Sequence, residues 1–291
     1  MALVEFDLYG TRINKVDLAV RRIREFEPIS NGFMDEPYFV AYSGGKDSDV
    51  LRILFELAGV KHDLVHNHTT VDAPETVRYI RTIPNIQILK PHISMWDLIV
   101  KKRMPPTRTR RYCCDVLKEG TAQGRFLVTG VRWDESNGRK NNRSSLEVLS
   151  KDRKKSLKLN VDNDESRKML ETCSVKGKRV LNPIVDWKNE DVWEFLRLHR
   201  CESNPLYKMG FNRVGCVGCP MAGKKGMIFG FERYPKIKDL YMMAFRKMLD
   251  ARQNDGLEEA GWKSEQDVFE WWVYGRDFGV RKEYEQIHML E

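Results

Sequence analysis

The sequence predicts an α/β protein built on a doubly wound, mostly parallel sheet, and two observations carry this prediction. Short apolar, β-branched runs alternate along the chain with longer segments of helical periodicity, the pattern of successive strand–helix units. A glycine-rich loop also stands between the first predicted strand of the sheet and the next helix, where sheets of this kind bind nucleotides.

The predicted elements divide the chain into three segments. An amphipathic helix is expected within residues 1–36, the α/β nucleotide-binding domain at 37–200, and a cysteine-bearing helical extension, with three of the six cysteines, at 201–291. Strands are expected at 38–42, 63–66, 86–89, 126–129 and 180–185, and helices at 50–58, from 74 to 80, at 95–101 and around 114–118. Residues 139–177 are expected to form a polar, irregular insertion with one helix at 165–172.

Composition narrows the class of protein. Apolar residues make up 41% of the chain and charged residues 32%, as in ordinary soluble proteins. No apolar run reaches membrane-spanning length and the start lacks a signal-peptide pattern, so we expect a cytoplasmic protein without a membrane partner. In that reducing compartment the six cysteines are expected to be metal ligands, reactive thiols or buried apolar residues rather than disulfides.

The net charge of +8 is concentrated in two stretches, at 101–111 and 139–158. Such clusters suit anionic partners, from a single nucleotide to a nucleic-acid backbone, although a solvated surface explains the second stretch equally well. The first stretch runs into a cysteine pair, which favours a functional interpretation.

The glycine-rich loop has the composition of a phosphate site. Small residues allow backbone N–H groups to converge on an anion, the following helix points its positive end there, and the lysine adds a charge. The spacing is shorter than in a Walker motif. The expected nucleotide contacts in the loop are Ser43, Gly44, Gly45, Lys46, Asp47 and Ser48.

Two cysteine pairs supply enough thiolates for one metal centre. Cys113 and Cys114 are adjacent, and Cys216 and Cys219 flank a Val-Gly turn about a hundred residues later. Both zinc and an iron–sulfur cluster accept four thiolates, so ligand type leaves the metal open, while the adjacent pair is unusual for structural zinc. The two remaining cysteines, Cys173 and Cys201, are expected to be incidental thiols.

The loop sequence Ser-Gly-Gly-Lys-Asp-Ser resembles the pyrophosphatase (PP) loop of the adenine-nucleotide α-hydrolase superfamily, whose members cleave ATP between its α and β phosphates. Motifs between residues 38 and 222 are similar to the phosphoadenylyl-sulfate (PAPS) reductase family. These motifs are Thr129-Gly130-Val131-Arg132 with Glu135-Ser136 and Arg139, Pro183-Ile184-Val185-Asp186-Trp187 with Asp191-Val192-Trp193, and Asn204-Pro205-Leu206-Tyr207 before Gly215-Cys216.

This resemblance implies further site residues. The four cysteines of the two pairs resemble the ligand pattern of a [4Fe-4S] cluster in adenylyl-sulfate (APS) reductases, and Lys118 falls where those enzymes keep a lysine near the cluster. Gly130, Arg132 and Arg139 are expected to join the nucleotide site. We expect Lys46, Asp47 and Lys118 to be the catalytic residues.

Two departures from the reductases shape the functional expectation. No cysteine follows Cys219, whereas reductases carry a terminal nucleophilic cysteine, and the loop is intact rather than degenerate. The chain therefore resembles the ATP-using, cluster-bearing relatives that deliver sulfur, such as enzymes of DNA phosphorothioation and tRNA thiolation. The expected function is Mg-ATP-dependent adenylation of an acceptor, with nucleic acid as a candidate acceptor, followed by sulfur transfer from a cysteine desulfurase or another donor. The alternatives are PAPS or APS reduction and a non-catalytic, zinc-stabilised nucleotide- or nucleic-acid-binding module.

Overall fold

The chain folds into two units in the computed structural model, and each unit gathers segments that are distant in the sequence. The first unit contains Met1–Asn67, Pro74–Leu89 and Thr121–Val214, and the second contains His68–Ala73, Lys90–Gly120 and Gly215–Glu291. The three-segment division expected above remains a prediction. The structure describes residues 3–6, 9–10, 12–33, 36–118, 122, 124–149, 156–159, 178–257 and 261–278.

A seven-stranded sheet forms the centre of the first unit. Its spatial order is β5-β4-β3-β6-β9-β7-β8, with parallel pairing from β5 to β9 and antiparallel pairing of β7 with β9 and β8. The predicted α/β fold with a mostly parallel sheet is confirmed. The strands are β3 (Tyr38–Ala41), β4 (His62–Asn67), β5 (Ile86–Leu89), β6 (Leu127–Val128), β7 (Leu146–Leu149), β8 (Leu157–Leu159) and β9 (Lys178–Leu181).

Helices of the first unit pack on this sheet. Helix α1 (Lys15–Glu25) begins after Asn14, whose side chain accepts the N–H of Val16. It packs against α3 (Lys46–Ala58), as does α8 (Asn189–Leu198). Gly59 ends α3 in the left-handed conformation. The helices of this unit are α1 (Lys15–Glu25), α2 (Glu27–Phe33), α3 (Lys46–Ala58), α4 (Pro74–Arg81), α7 (Asn137–Asn142) and α8 (Asn189–Leu198).

Two parts of the first unit differ from the sequence-based expectation. A two-stranded antiparallel hairpin, β1 (Val4–Phe6) with β2 (Arg12–Asn14), precedes the N-terminal helix. The stretch expected to be irregular contributes to α7 and forms the strands β7 and β8. Strand β7 forms because Leu146 and Val148 are buried on the sheet, although polar residues precede and follow it in the sequence. The helix predicted at 165–172, like Cys173, lies outside the described residues.

The second unit is helical. Helix α5 (Met95–Lys102) begins after Ser94, whose hydroxyl accepts the N–H of Asp97, and it packs against the long helix α10 (Pro235–Asn254). The other helices are α6 (Tyr112–Leu117), α9 (Gly223–Arg233) and α11 (Glu265–Phe269), which continues as a π-helical segment, Glu270–Tyr274. Among the described residues, no helix combines the length and apolar character that crossing a membrane requires.

Candidate active site

The glycine-rich loop lies between β3 and α3 at the carboxyl end of the parallel strands. Gly45 is the N-cap of α3, and the backbone N–H groups of Ser48 and Asp49 donate to its carbonyl. Gly44 has a φ of +74°, and a Cβ there would lie 3.1 Å from the Ile80 side chain, so only glycine suits this position. The loop and the positive end of α3 thus meet where an anion can bind.

The polar side chains of the loop divide into two groups. Lys46 is largely buried, and its Nζ lies 3.4 Å from the Oδ2 of Asp47. Ser48 is also buried and donates its hydroxyl to the Gly45 carbonyl at 2.7 Å, whereas Ser43 is exposed. Neither Asp47 nor Ser48 caps α3 with its side chain. Ser43 retains an accessible hydroxyl for a ligand.

Arg132 reaches the loop from the segment after β6. Its Nε donates to the Oδ1 of Asp47 at 2.7 Å, and only 2% of the residue is exposed. A Cβ on Gly130 would lie 3.0 Å from the Cβ of Asp47, so the close approach of the two segments requires glycine. Arg139 lies on α7 and forms an ion pair with Glu135. Gly130 and Arg132 therefore shape the loop, while a ligand contact for Arg139 stays a prediction.

Asn204 and Tyr207, quoted above only as part of a motif, also contact the loop. Asn204 is fully buried, and its Nδ2 donates to the Gly44 carbonyl at 3.0 Å and to Thr76 Oγ1 at 3.1 Å. The Tyr207 hydroxyl accepts the backbone N–H of Lys46 at 2.9 Å. The Asn-Pro-Leu-Tyr motif marks these two residues in the sequence. Its spacing does not indicate that they contact a loop about 160 positions earlier in the chain.

Behind the loop, a buried carboxyl lies on the first turn of α3. Asp49 is completely buried, and its Oδ1 accepts the hydroxyls of Tyr42 at 2.5 Å and Tyr79 at 3.0 Å. Burial raises the pKa of Asp49 to about 6, although the two tyrosines and Arg52 act in the opposite direction. This group links the loop to the core of the first unit.

The four cysteines of the two pairs all belong to the second unit. Cys113 and Cys114 lie on α6, and each of the four is half-buried and free of a disulfide. The hydrogen bond from Cys114, together with burial and the charges of Cys216 and Cys219, raises the pKa of Cys113. This electrostatic influence requires the two pairs to lie in one neighbourhood. Their role as metal ligands stays a prediction.

The second pair is held by its backbone. The backbones of Cys216 and Asp72 pair in an isolated antiparallel β-bridge. The N–H of Val217 donates to the Val71 carbonyl at 2.9 Å. Gly218 has a φ of +74°, and a Cβ there would come within 2.6 Å of the Phe231 ring. The turn between the two cysteines therefore requires glycine for conformation and for space.

A network of polar groups lies beside Cys216. Thr69 Oγ1 lies 3.3 Å from Cys216 Sγ and 2.8 Å from the Oδ1 of Asp72. Asp72 also accepts the Thr69 N–H and contacts His68 Nδ1 at 2.9 Å. This network fits the hydrogen-bonded surroundings that metal-bound thiolates need.

Lys118 follows α6, and its backbone N–H donates to the Cys114 carbonyl at 2.9 Å. The charge of Cys216, followed by those of Asp72 and Cys114, raises the pKa of Lys118. The lysine is thus electrostatically coupled to the cysteine site. Its catalytic role stays a prediction.

Some basic side chains of the stretch before Cys113 form contacts within the protein. Arg103 forms an ion pair with Asp255 at 2.6 Å, and the guanidinium of Arg110 donates to Met104 Sδ at 3.0 Å. Four other basic side chains are exposed: Lys101, Lys102, Arg108 and Arg111.

The donor set of the cysteine site suits both metal centres expected from the sequence. Four half-buried thiols in one neighbourhood fit either centre. Zinc–sulfur bonds of about 2.3 Å would hold sulfur atoms roughly 3.8 Å apart. Among the described residues, no three cysteine sulfurs lie within 4.8 Å of one another. Both metal centres therefore stay predictions.

Known proteins place this site in a family. The model of the phosphoadenosine phosphosulfate reductase domain matches residues 37–222. An uncharacterized protein of Methanocaldococcus jannaschii is 26% identical over 231 residues, which cover 75% of this chain and 48% of the relative. The APS reductase of Streptomyces coelicolor is 31% identical over 112 residues, 37% of each chain.

One solved structure is similar along most of the chain. The U34-tRNA thiolase NcsA of Methanococcus maripaludis, solved with its [4Fe-4S] cluster, has 13% identity and a TM-score of 0.40, covering 94% of this chain and 93% of the thiolase. The chain spans about half the length of the first curated relatives that it matches. From the family match over most of its length, the chain belongs to the phosphoadenosine phosphosulfate reductase domain family.

Proposed function

We propose that this protein is an ATP pyrophosphatase that adenylates an acceptor and takes part in iron–sulfur-dependent sulfur transfer. The observation that carries the proposal is the intact loop at the N-terminus of α3. Lys46 is the first residue of that helix, and the loop also contains the exposed Ser43. Such a loop holds the β and γ phosphates of a nucleotide, which a sulfonucleotide lacks in that place.

In the first step, an acceptor oxygen attacks the α phosphorus of Mg-ATP. The bond between that phosphorus and the bridging oxygen to the β phosphate breaks, and pyrophosphate leaves. Lys46 stabilises the charge that develops on the leaving group, and Asp47, fixed by Arg132, keeps the lysine in place through their 3.4 Å contact.

In the second step, a sulfur nucleophile forms a carbon–sulfur bond at the activated carbon. The carbon–oxygen bond to the adenylate breaks, and AMP leaves with the electron pair. The sulfur nucleophile is hydrosulfide, which comes from a sulfide donor or from a cysteine desulfurase persulfide whose S–S bond is broken by two electrons from a dithiol reductant. Cys113, Cys114, Cys216 and Cys219 would hold the [4Fe-4S] cluster, which would supply iron as a binding point for sulfide, and Lys118 lies within electrostatic reach of that site.

A nucleic acid is the proposed acceptor because the exposed residues Lys101 and Lys102 leave a basic surface before the first cysteine pair. Replacing both with Glu should weaken binding of a labelled RNA or DNA and lower its salt dependence, measured by fluorescence anisotropy. Replacing the exposed Lys61 of the first unit with Glu is the control. Equal loss in both variants would contradict a dedicated surface.

Reduction of an adenylylated sulfate remains the alternative. It needs a nucleophilic thiolate, and Cys201 is the described cysteine outside the two pairs. Burial raises the pKa of Cys201, with the charge of Asp49 acting in the same direction, which leaves the thiol protonated at neutral pH. A zinc-stabilised module without turnover is the second alternative, and it predicts zinc without acid-labile sulfide.

The deciding experiment compares ligands on protein purified without oxygen. Selective thermal stabilisation by Mg-ATP supports the proposal, whereas selective stabilisation by PAPS or APS supports the reductase. Lys46→Ala should abolish pyrophosphate release and leave iron and acid-labile sulfide unchanged, while Lys61→Ala should change neither. Undiminished pyrophosphate release in Lys46→Ala would refute the role of the loop.

A further inference from the structure

The hydroxyl of Tyr207 occupies a position inside the phosphate loop. It accepts the backbone N–H of Lys46 at 2.9 Å, a contact between residues 161 positions apart. A Cβ on Gly45 would lie 3.4 Å from this hydroxyl and 3.4 Å from Ser43 Oγ. The phenol oxygen and the serine hydroxyl therefore flank the same glycine, on the side where the loop has no side chain.

The position of this hydroxyl is fixed from two directions. The edge of the Trp193 ring packs against the Tyr207 ring, with centroids 5.1 Å apart and an interplanar angle of 84°. Burial raises the pKa of Tyr207, while the backbone N–H groups of Lys46 and Val214 act in the opposite direction. The oxygen thus lies among backbone donors and keeps its own proton at neutral pH.

A phenol has one donor and two acceptor positions. In Tyr207 the acceptor side faces the Lys46 N–H, and among the residues that the structure describes no acceptor receives its O–H. The side chain is half-buried, and Lys46 Nζ lies 5.9 Å from its ring. The Tyr207 O–H is therefore accessible to a ligand. Lys46 lies close enough to contact that ligand as well.

We propose that Tyr207 is a nucleotide-binding residue whose hydroxyl relays the Lys46 backbone N–H to a polyphosphate oxygen. The amide donates to the phenol oxygen, and the phenol O–H donates to the anion. This inference rests on the proposed function, because it assumes that the loop binds the polyphosphate of Mg-ATP.

The neighbouring Asn204 restricts the movement of the segment that carries Tyr207. Its side chain holds the Gly44 carbonyl and accepts the N–H of Leu206 at 3.0 Å, within the same turn as Tyr207. Leu206 is itself buried. A donor held in this way loses little freedom when it binds a phosphate.

The test is Tyr207→Phe, with Tyr38→Phe as the matched control. Tyr38 also uses its hydroxyl in one hydrogen bond, to the Ile23 carbonyl at 3.1 Å, but it lies in the core. Calorimetry should show that Tyr207→Phe weakens binding of Mg-ATP and of pyrophosphate by about tenfold to a hundredfold, the range for losing a hydrogen bond to a charged group. Tyr38→Phe should bind both as the wild type does.

A second readout separates binding from structure. Each variant loses one tyrosine hydroxyl, so we expect the melting temperatures of both, measured without ligand, to fall by similar amounts. Only Tyr207→Phe should also bind the ligand more weakly. Unchanged or tighter pyrophosphate binding by Tyr207→Phe would overturn the inference, the latter because the phenol would then compete with phosphate for the amide. Failure of the wild type to bind Mg-ATP would instead overturn the proposed function.

Discussion

The Nε of Arg132 donates a hydrogen bond to the Oδ1 of Asp47 over 2.7 Å, which ties the segment after β6 to the first turn of α3. The arginine side chain is 3% exposed and the aspartate side chain 24%. The guanidinium also contacts Asp134 and the Trp187 carbonyl. The pair therefore fixes the orientation of the glycine-rich loop from inside the protein.

Arg132→Ala should lower the free energy of unfolding by about 1–3 kcal/mol, because it leaves buried acceptors without their donor. Water reaches Asp47 and offsets part of this loss. Urea denaturation measures the change, and pyrophosphate release should fall more than stability alone explains. A variant with full activity and wild-type stability would contradict a role for this pair.

Gly130→Ala should disturb the loop by steric contact. The added methyl group would lie 3.0 Å from Asp47 Cβ and 3.2 Å from its backbone carbonyl, so α3 must shift. Overpacking of this kind costs about 1–3 kcal/mol, and Mg-ATP affinity should fall with it. Gly138→Ala is the control, because its methyl group would approach only Ser136 Oγ, at 3.9 Å. Equal affinities in the two variants would show that the close approach is unimportant.

Gly218→Ala should disrupt the turn of the second cysteine pair. Gly218 and Gly223 both have a positive φ, near +70°, but a Cβ would collide with the Phe231 ring only at Gly218. Gly223→Ala should therefore cost only the conformational strain, about 1–2 kcal/mol, and Gly218→Ala distinctly more. Iron content and melting temperature measure the difference. Similar losses in both variants would mean that the ring contact is easily relieved.

Thr69→Val should make the reduction potential of the proposed cluster more negative. A metal-bound Cys216 has no proton, so in any hydrogen bond between the two side chains the Thr69 hydroxyl, 3.3 Å from the sulfur, is the donor, in competition with its 2.8 Å contact to Asp72 Oδ1. Hydrogen bonds to the sulfur stabilise the reduced state. Thr69→Ser keeps the donor and should keep the potential. A redox titration measures both. An unchanged potential in Thr69→Val would show that the hydroxyl donates to Asp72 instead.

Asp49→Asn should change the pH dependence of stability. Burial raises the pKa of Asp49 from 3.8 to about 6, so the folded protein holds this proton more tightly than the unfolded chain does. The carboxyl costs nothing below about pH 4, where both states are protonated, and destabilises the fold increasingly up to about pH 6. The full cost is at most about 3 kcal/mol.

The stability of Asp49→Asn relative to the wild type should therefore rise between pH 4 and pH 7. Denaturant titrations at several pH values measure this, with the exposed Asp239→Asn as the control. Parallel profiles for Asp49→Asn and the wild type would contradict the raised pKa.

The sequence by itself determined the fold class, the position of the phosphate loop and the two cysteine pairs. Each of these depends on residues that are close in the chain: β3, Ser43–Ser48 and α3 follow one another, and the spacing of Cys216 and Cys219 is local. Local propensity and periodicity are therefore enough to predict them.

Only the tertiary structure decided which distant residues complete the loop. Arg132 lies 85 positions from Asp47, and Tyr207 lies 161 positions from Lys46. The strand β7 was missed for a related reason, since its burial comes from pairing with β9 and not from its own composition. Contacts of this kind depend on how strands and helices pack, and no pattern within a short stretch of sequence specifies that packing.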